Sequence, residues 1–117
     1  MVEQIRRTSG RGREYRIVKD LRDVNETGDL IIVRDVMQHW PNAEIDYFIE
    51  NILPRFRYAL LTNDYTPSQG NHDIAPGGYR PINLERIGNQ ETVVKIQYEN
   101  GHTQKRTILV TNPIPFP

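Results

Sequence analysis

The chain of 117 residues has no cysteine and no net charge, with 15 basic residues set against 15 acidic ones. Without cysteine there is no disulfide framework and no thiolate metal site, and nothing points to secretion. A balanced charge creates no overall field to draw the protein to nucleic acid or a membrane surface. No run approaches the ~20 apolar residues of a membrane span, and the N-terminus has no apolar signal region. A soluble, cytoplasmic protein is the expectation. Histidine is scarce. His39, His72 and His102 stand at no metal-ligand spacing, and His72-Asp73 lacks the intervening residue of an H-x-D pair, so no metal site is expected.

Glycine is thin where a phosphate would need it. Gly10 and Gly12 form a G-x-G, but Tyr15 takes the third glycine's place, and the pair precedes a strand instead of following one to open a helix. Five arginines between Arg6 and Arg16 invite a phosphate-binding reading. Tyr15 alone interleaves with them, too little for a base-stacking surface, so a solvated loop is the better account and a nucleic-acid partner is disfavoured. Ser68 follows Pro67 in a polar loop with no G-x-S-x-G elbow around it, which removes a hydrolase triad.

What is present centres on residues 28–54. Leu30-Ile31-Ile32-Val33 has no polar alternation, which predicts a strand buried on both faces, as in a parallel sheet between helices. Asp35 falls just past it, where open α/β sheets place ligand chemistry. A helix is predicted from Pro41-Asn42, with Asn42 as N-cap and Glu44 and Asp46 favoured in the first turn by the helix dipole. Ile45, Phe48, Ile49, Ile52 and Leu53 form its apolar face, and Pro54 stops it.

The length sets a single domain, residues 1–117. Residues 1–13 are a basic N-terminal segment in which Val2 and Ile5 suit the last turns of a helix ending at Thr8-Ser9-Gly10. Glu14 to Lys19 predicts a short strand with Tyr15 and Ile17 inward. A polar connection then leads through the Asn25–Gly28 turn. Tyr58 to Thr62 predicts a second buried strand, reached by one crossover, with Asn63 and Asp64 at its carboxyl end beside Asp35. Residues 65–89 form a long loop of the kind that carries function, and its Tyr65, Ile74, Tyr79, Ile82, Leu84 and Ile87 predict that it packs down. Residues 91–112 predict a hairpin turning at Asn100-Gly101, with His102 exposed in the turn.

Two readings of His39 stay open. It lies just past the central strand with Asp35 and Gln38, where it would serve as a base near neutral pH or simply order the loop before Pro41. Trp40 reads as a packing residue.

Two stretches resemble a known family. Residues 29–44, DLIIVRDVMQHWPNAE, resemble the "DLIxxRDxLxHLxNAE" segment of a branch of class I S-adenosylmethionine-dependent methyltransferases. Asn71-His72-Asp73-Ile74 with Gly77-Gly78-Tyr79-Arg80-Pro81-Ile82-Asn83-Leu84 resembles that branch's "NxDIxxGxxRPxNL" loop. The resemblance runs from about Glu14 to Leu84. It implies an α/β, partial Rossmann-like fold: a mostly parallel sheet ending in an antiparallel β-hairpin. It implies S-adenosylmethionine as cofactor, with Asp20 facing the adenine and Asp35 and Val36 beside the methionine end. His39 and Asp35 would be the catalytic pair, and Gln38, Asn71, Asp73 and Arg80 would bind or wall the methyl acceptor.

The departure from the family is as informative as the match. The chain starts after the family's first βαβ unit, and no E/D-x-G-x-G-x-G occurs in it. That loop's close backbone approach to the cofactor needs glycine. The expectation is therefore the C-terminal half of a methyltransferase, inactive as an isolated monomer. In the class I sheet the family's first strand pairs with the strand here at Asp29 to Arg34, so its absence leaves a bare apolar edge. Three repairs are possible: the Glu14–Lys19 strand moves in beside it, a second copy pairs there, or an N-terminal-half chain complements it. An oligomer or a split partner is favoured. The alternative is a non-catalytic binding or regulatory subunit that keeps the fold and has lost the cofactor.

Overall fold

A computed structural model describes residues 4–7, 14–67, 71–84, 92–100 and 103–111. Its six strands are β1 (Gln4–Arg7), β2 (Glu14–Ile17), β3 (Gly28–Arg34), β4 (Phe56–Asp64), β5 (Thr92–Asn100) and β6 (Thr103–Thr111). The one α-helix among the described residues is α1 (Asn42–Tyr47). The last four strands make one sheet in the order β3-β4-β6-β5, while β1 and β2 form a separate antiparallel pair.

The chain is thus α/β, with a mixed sheet. β3 and β4 run parallel, but β4–β6 and β5–β6 are antiparallel, so the expectation of a mostly parallel sheet is corrected. A parallel pair needs a crossover, and residues 35–55 supply it. The closing hairpin folds back on itself, which places β6 inside the sheet and β5 at the far edge.

One face of the sheet holds the core. Register aligns Ile31 with Ala59 and Val110, and Val33 with Leu61 and Ile108. Against these rows pack Met37, Ile45, Phe48, Ile52 and Leu53 from the crossover, and Ile82 and Leu84 from the long loop. The predicted apolar helix face is therefore the buried face, although Ile49 stays half-buried. Full burial of side chains such as Phe48 and Leu61 contributes roughly 1.5–3 kcal/mol each.

The opposite face is bare. Leu30 is 46% exposed and Ile32 65%, and the half-buried Leu60 and Leu109 continue their row. This corrects the reading of Leu30 to Val33 as buried on both faces. An unbroken apolar run states that both faces favour contact, but only elements outside the run can cover the second one. No described strand pairs with the outer edge of β3. The strand at Glu14 does not fill it, because β2 pairs with β1 instead. Ile5, read as helical, lies in β1, and Ile17, read as inward, is 52% exposed. A two-stranded ribbon lets the backbones of both segments pair with each other.

The crossover helix also differs from expectation. Pro41, not Asn42, is the N-cap, and its carbonyl accepts from the N–H groups of Glu44 (2.9 Å) and Ile45 (3.2 Å). After Tyr47 the helix widens into a π-type turn (Phe48–Ile52) and tightens into a 3-10 turn (Leu53–Arg55). Pro54 has no N–H to give to the carbonyl four residues back, so the last turns rewind around that gap. Ile87, the Asn100-Gly101 turn's Gly101 and His102 lie outside the described residues.

Candidate functional site

The carboxyl ends of β3 and β4 carry an ionic cluster. Asp35 leaves β3 in the left-handed region (φ 56°), the one non-glycine residue among those described with positive φ. Aspartate tolerates this conformation better than most residues. Its N–H donates to the Thr62 carbonyl at 2.8 Å, which pins the bend to β4. Lys105, from β6, places its Nζ 2.5 Å from Asp35 Oδ1 and 2.8 Å from Asp64 Oδ1. Tyr79 donates its hydroxyl to Asp64 Oδ2 at 2.7 Å.

Electrostatics follow from this geometry. Burial pushes the Asp64 carboxyl up, but hydrogen bonds from Lys105 and Tyr79 outweigh it and hold the group below its usual range. Hydrogen bonds to Asp35 and Asp64 raise Lys105 against the opposing effect of burial. Tyr79 is raised by burial first and by its bond to Asp64 second. Asp35 therefore stands beside Asp64, as the order of strands predicts, but an ammonium lies between them.

The residues expected to bind an acceptor are hydrogen-bonded within the fold. Arg80 is 1% exposed, and its guanidinium donates to the carbonyls of His72, Met37, Gln38 and Trp40 and to Asn42 Oδ1. Burial lowers its pKa, against the raising effect of Asp73. Gln38 is buried, with its Oε1 accepting from the Asp64 N–H at 2.7 Å. Asn71 exchanges two hydrogen bonds with the backbone of Asn83. Asp73 accepts from the N–H groups of Asn42 and Ile74, both at 2.9 Å, and these bonds hold its carboxyl low. It caps α1 from a distant loop, the role the sequence gives to Asn42. Together these four residues lash residues 71–84 across the crossover.

A cleft of about 680 Å³ opens beside this lashing. Leu21, Val24, Val36, Trp40, Ile74 and Pro76 make its apolar lining, and Lys19, Asp20, Arg22, Glu44 and His39 bring polar groups to it. Its size and mixed lining suit a small organic ligand. Asp20, Val36 and His39, predicted separately, meet here, whereas Asp35 does not line the cleft. Asp20 is exposed and caps the 3-10 turn at Leu21–Asp23 by accepting from the Arg22 N–H, which lowers its pKa. Arg22 in turn reaches Glu44 at 2.6 Å and lies 4.3 Å over the Tyr47 ring.

His39 Nδ1 lies 2.9 Å from the Gly78 carbonyl oxygen. A carbonyl only accepts, so this bond assigns the proton to Nδ1 and leaves the Nε2 lone pair open in the neutral ring. The imidazole also packs against Tyr79, with ring centroids 5.7 Å apart. Lys105 and Tyr79 escape the sequence reading as site residues. Lys105 alternates as any surface strand lysine would, and only the β4–β6 register puts it opposite Asp64.

No family model matches this chain, and neither the curated proteins nor the solved structures contain a match. Among the described residues no helix is long and apolar enough to cross a membrane. Nor does any group of three or more histidine, aspartate or glutamate side chains stand ready to hold a metal ion.

Proposed function

We propose that this chain is an S-adenosylmethionine-dependent methyltransferase-like protein, whose ligand site is completed by a second copy or by another chain. The observation that carries the reading is the meeting of Asp20, Val36 and His39 in one cleft at the carboxyl end of β3, the strand on whose outer edge no described strand pairs. The resemblance of residues 29–44 and 71–84 supplies the identity of the cofactor.

The fit to that cofactor is partial. A cleft of about 680 Å³ has room for part of such a ligand, and the Asp20 carboxylate is exposed beside it to accept hydrogen bonds from an adenosyl group. The Asp35 carboxylate is committed to Lys105, and no described residue offers the glycine-rich backbone that would approach the ligand closely. Of the two predicted proton acceptors, Asp35 faces the Lys105 ammonium, which makes it a weaker base, and His39 is the better placed. Its role would be to take the acceptor's proton at Nε2, while the cleft orients the acceptor.

Calorimetry with S-adenosylmethionine, run over protein concentrations from dilute to assembled, tests this reading. Heat that grows on assembly and weakens in Asp20→Ala supports it. No heat from a folded, assembled protein removes it and favours a non-catalytic binding subunit, which the internal neutralisation of Asp35 by Lys105 also fits.

A further inference from the structure

We propose that the methyl acceptor is a neutral planar phenol, lying against Trp40 with its hydroxyl at His39 Nε2. Methyl transfer as the reaction is taken from the reading above, but binding of the phenol is tested without any methyl donor.

The cleft is built from flat, rigid surfaces. Trp40 lines it, and the indole packs on the buried Phe48 with ring centroids 5.8 Å apart. Pro41 and Pro76 add two pyrrolidine rings to the lining. Pro76 sits in a turn closed by the Gly78 N–H on the Ala75 carbonyl at 2.9 Å, with Gly77 at φ 80°. Proline followed by such a glycine suits the centre of a type II turn, so this wall is set before a ligand arrives. An aromatic ligand gains stacking on the indole in addition to the burial of its apolar area.

The charges of the lining disfavour an anion. Arg22 bonds Glu44 through two contacts, at 2.6 and 2.8 Å, and also reaches Asp20 at 3.4 Å. Lys19 is exposed, so water already solvates its ammonium. Among the described lining residues no cation is left in the apolar part to replace the water that a carboxylate or phosphate would lose there.

His39 sets the ligand's one polar group. With its proton on Nδ1 toward the Gly78 carbonyl, the neutral ring offers a single lone pair at Nε2, and a phenol has a single proton to give. Imidazole is closer in basicity to a phenolate than to an alkoxide, which makes a phenol the better substrate for this base. In the transfer, an electron pair of the phenol oxygen forms the new C–O bond as the methyl–sulfur bond breaks. The bonding pair stays with the donor's sulfonium sulfur, which it neutralises, and the phenol proton passes to Nε2.

Trp40 is the only tryptophan of the chain, so its fluorescence reports on this cleft. The probe is 4-nitrophenol, titrated at neutral pH, and it should quench Trp40. Benzoate, planar but anionic, and cyclohexanol, neutral but not planar, should bind roughly tenfold more weakly. The bound probe should show more phenolate absorption than free probe at the same pH, and this excess should vanish in His39→Gln. Val36→Asp puts a charge on the apolar wall while giving the turn at Met37 a favourable cap. It should weaken binding roughly tenfold and leave the circular dichroism unchanged. An unquenched Trp40 overturns the proposal. So does benzoate or cyclohexanol bound as tightly as the phenol, a phenolate excess that survives His39→Gln, or unchanged binding in Val36→Asp. Each of these results leaves the calorimetric test of S-adenosylmethionine standing on its own.

Discussion

Asp64 and Lys105 face each other directly across the β4–β6 ladder, and their side chains meet at 2.8 Å. The same ammonium reaches Asp35 on the neighbouring parallel strand, so one lysine ties the carboxyl ends of β3 and β4 to β6. Lys105 is 13% exposed and Asp64 12%, which leaves little water to replace the pairing. Lys105→Met should therefore destabilise the fold by about 2 kcal/mol, less than the ~3–5 kcal/mol for a fully buried pair because water still reaches the cluster through Asp35. Urea unfolding monitored by circular dichroism measures this, and an unchanged midpoint would show that the cluster is merely decorative.

The same cluster sets a pH window. Asp64 is held below its usual 3.8, so its contribution is present above that value and is lost as pH falls through the lower folded value. Lys105 is raised above its usual 10.5, so its contribution is complete below that value and is lost as pH rises through the raised one. Stability should be flat between these limits as far as this pair is concerned. In Lys105→Met the acid-side loss should become shallower, because ionised Asp64 no longer faces an ammonium. Melting temperatures from pH 2 to 6 for both proteins decide it; parallel acid limbs would count against the pairing.

Leu60 and Leu61 are neighbours in β4 with opposite fates. Leu61 is fully buried against Val33 and Ile108, while Leu60 is half-buried on the open face beside Ile32. Leu61→Ala should cost about 3 kcal/mol at any protein concentration. Leu60→Ala should cost clearly less, because part of its side chain is already in water. Urea denaturation of the two variants distinguishes them. Equal losses at both sites would mean that something covers the outer face of a single chain.

That pair marks the limit of what the sequence makes legible. The crossover segment, the parallel β3–β4 pair, the closing hairpin and the inward side of residues 45–53 all follow from local periodicity and turn chemistry. The apolar run at Leu30 announces a strand, but not whether its second face finds a cover, because that depends on elements far away or on another chain. The site divides in the same way. Asp20 and Val36, which only the family resemblance singles out, and His39, which its place past the central strand singles out, line one cleft. Lys105 acquires meaning only from register. Arg80, Asn71 and Asp73 enter as site residues through the family resemblance, and the sequence alone does not separate a ligand contact from the hydrogen bonds they make within the fold.

Arg80 offers the sharpest test of that last distinction. Its planar guanidinium satisfies four backbone carbonyls at once, a task that lysine's single ammonium cannot copy. If the residue is the loop's clamp, Arg80→Lys and Arg80→Met should both lower stability by about 3 kcal/mol, since the carbonyls around this buried guanidinium would lose their donor. Hydrogen exchange should quicken at Ile82, whose N–H donates to the Asp64 carbonyl at 2.9 Å and anchors the loop. An acceptor-binding arginine would instead leave folding intact and alter only ligand affinity.

His39 connects the loop to the chemistry. Free imidazole favours the proton on Nε2, but the Gly78 carbonyl at 2.9 Å from Nδ1 rewards the opposite tautomer. Nitrogen-15 spectra of the neutral ring should therefore show Nδ1 protonated and Nε2 bare. The assignment matters because His39 lines the cleft beside Val36 and Trp40, and only this tautomer offers a lone pair to a proton there. The rings of His39 and Tyr79 pack together, and Tyr79 is fixed by Asp64, so Asp64→Ala should loosen the imidazole and mix the two tautomers. A wild-type ring protonated at Nε2 would leave no acceptor on that atom and would withdraw His39 as the base, whatever ligand the cleft proves to hold.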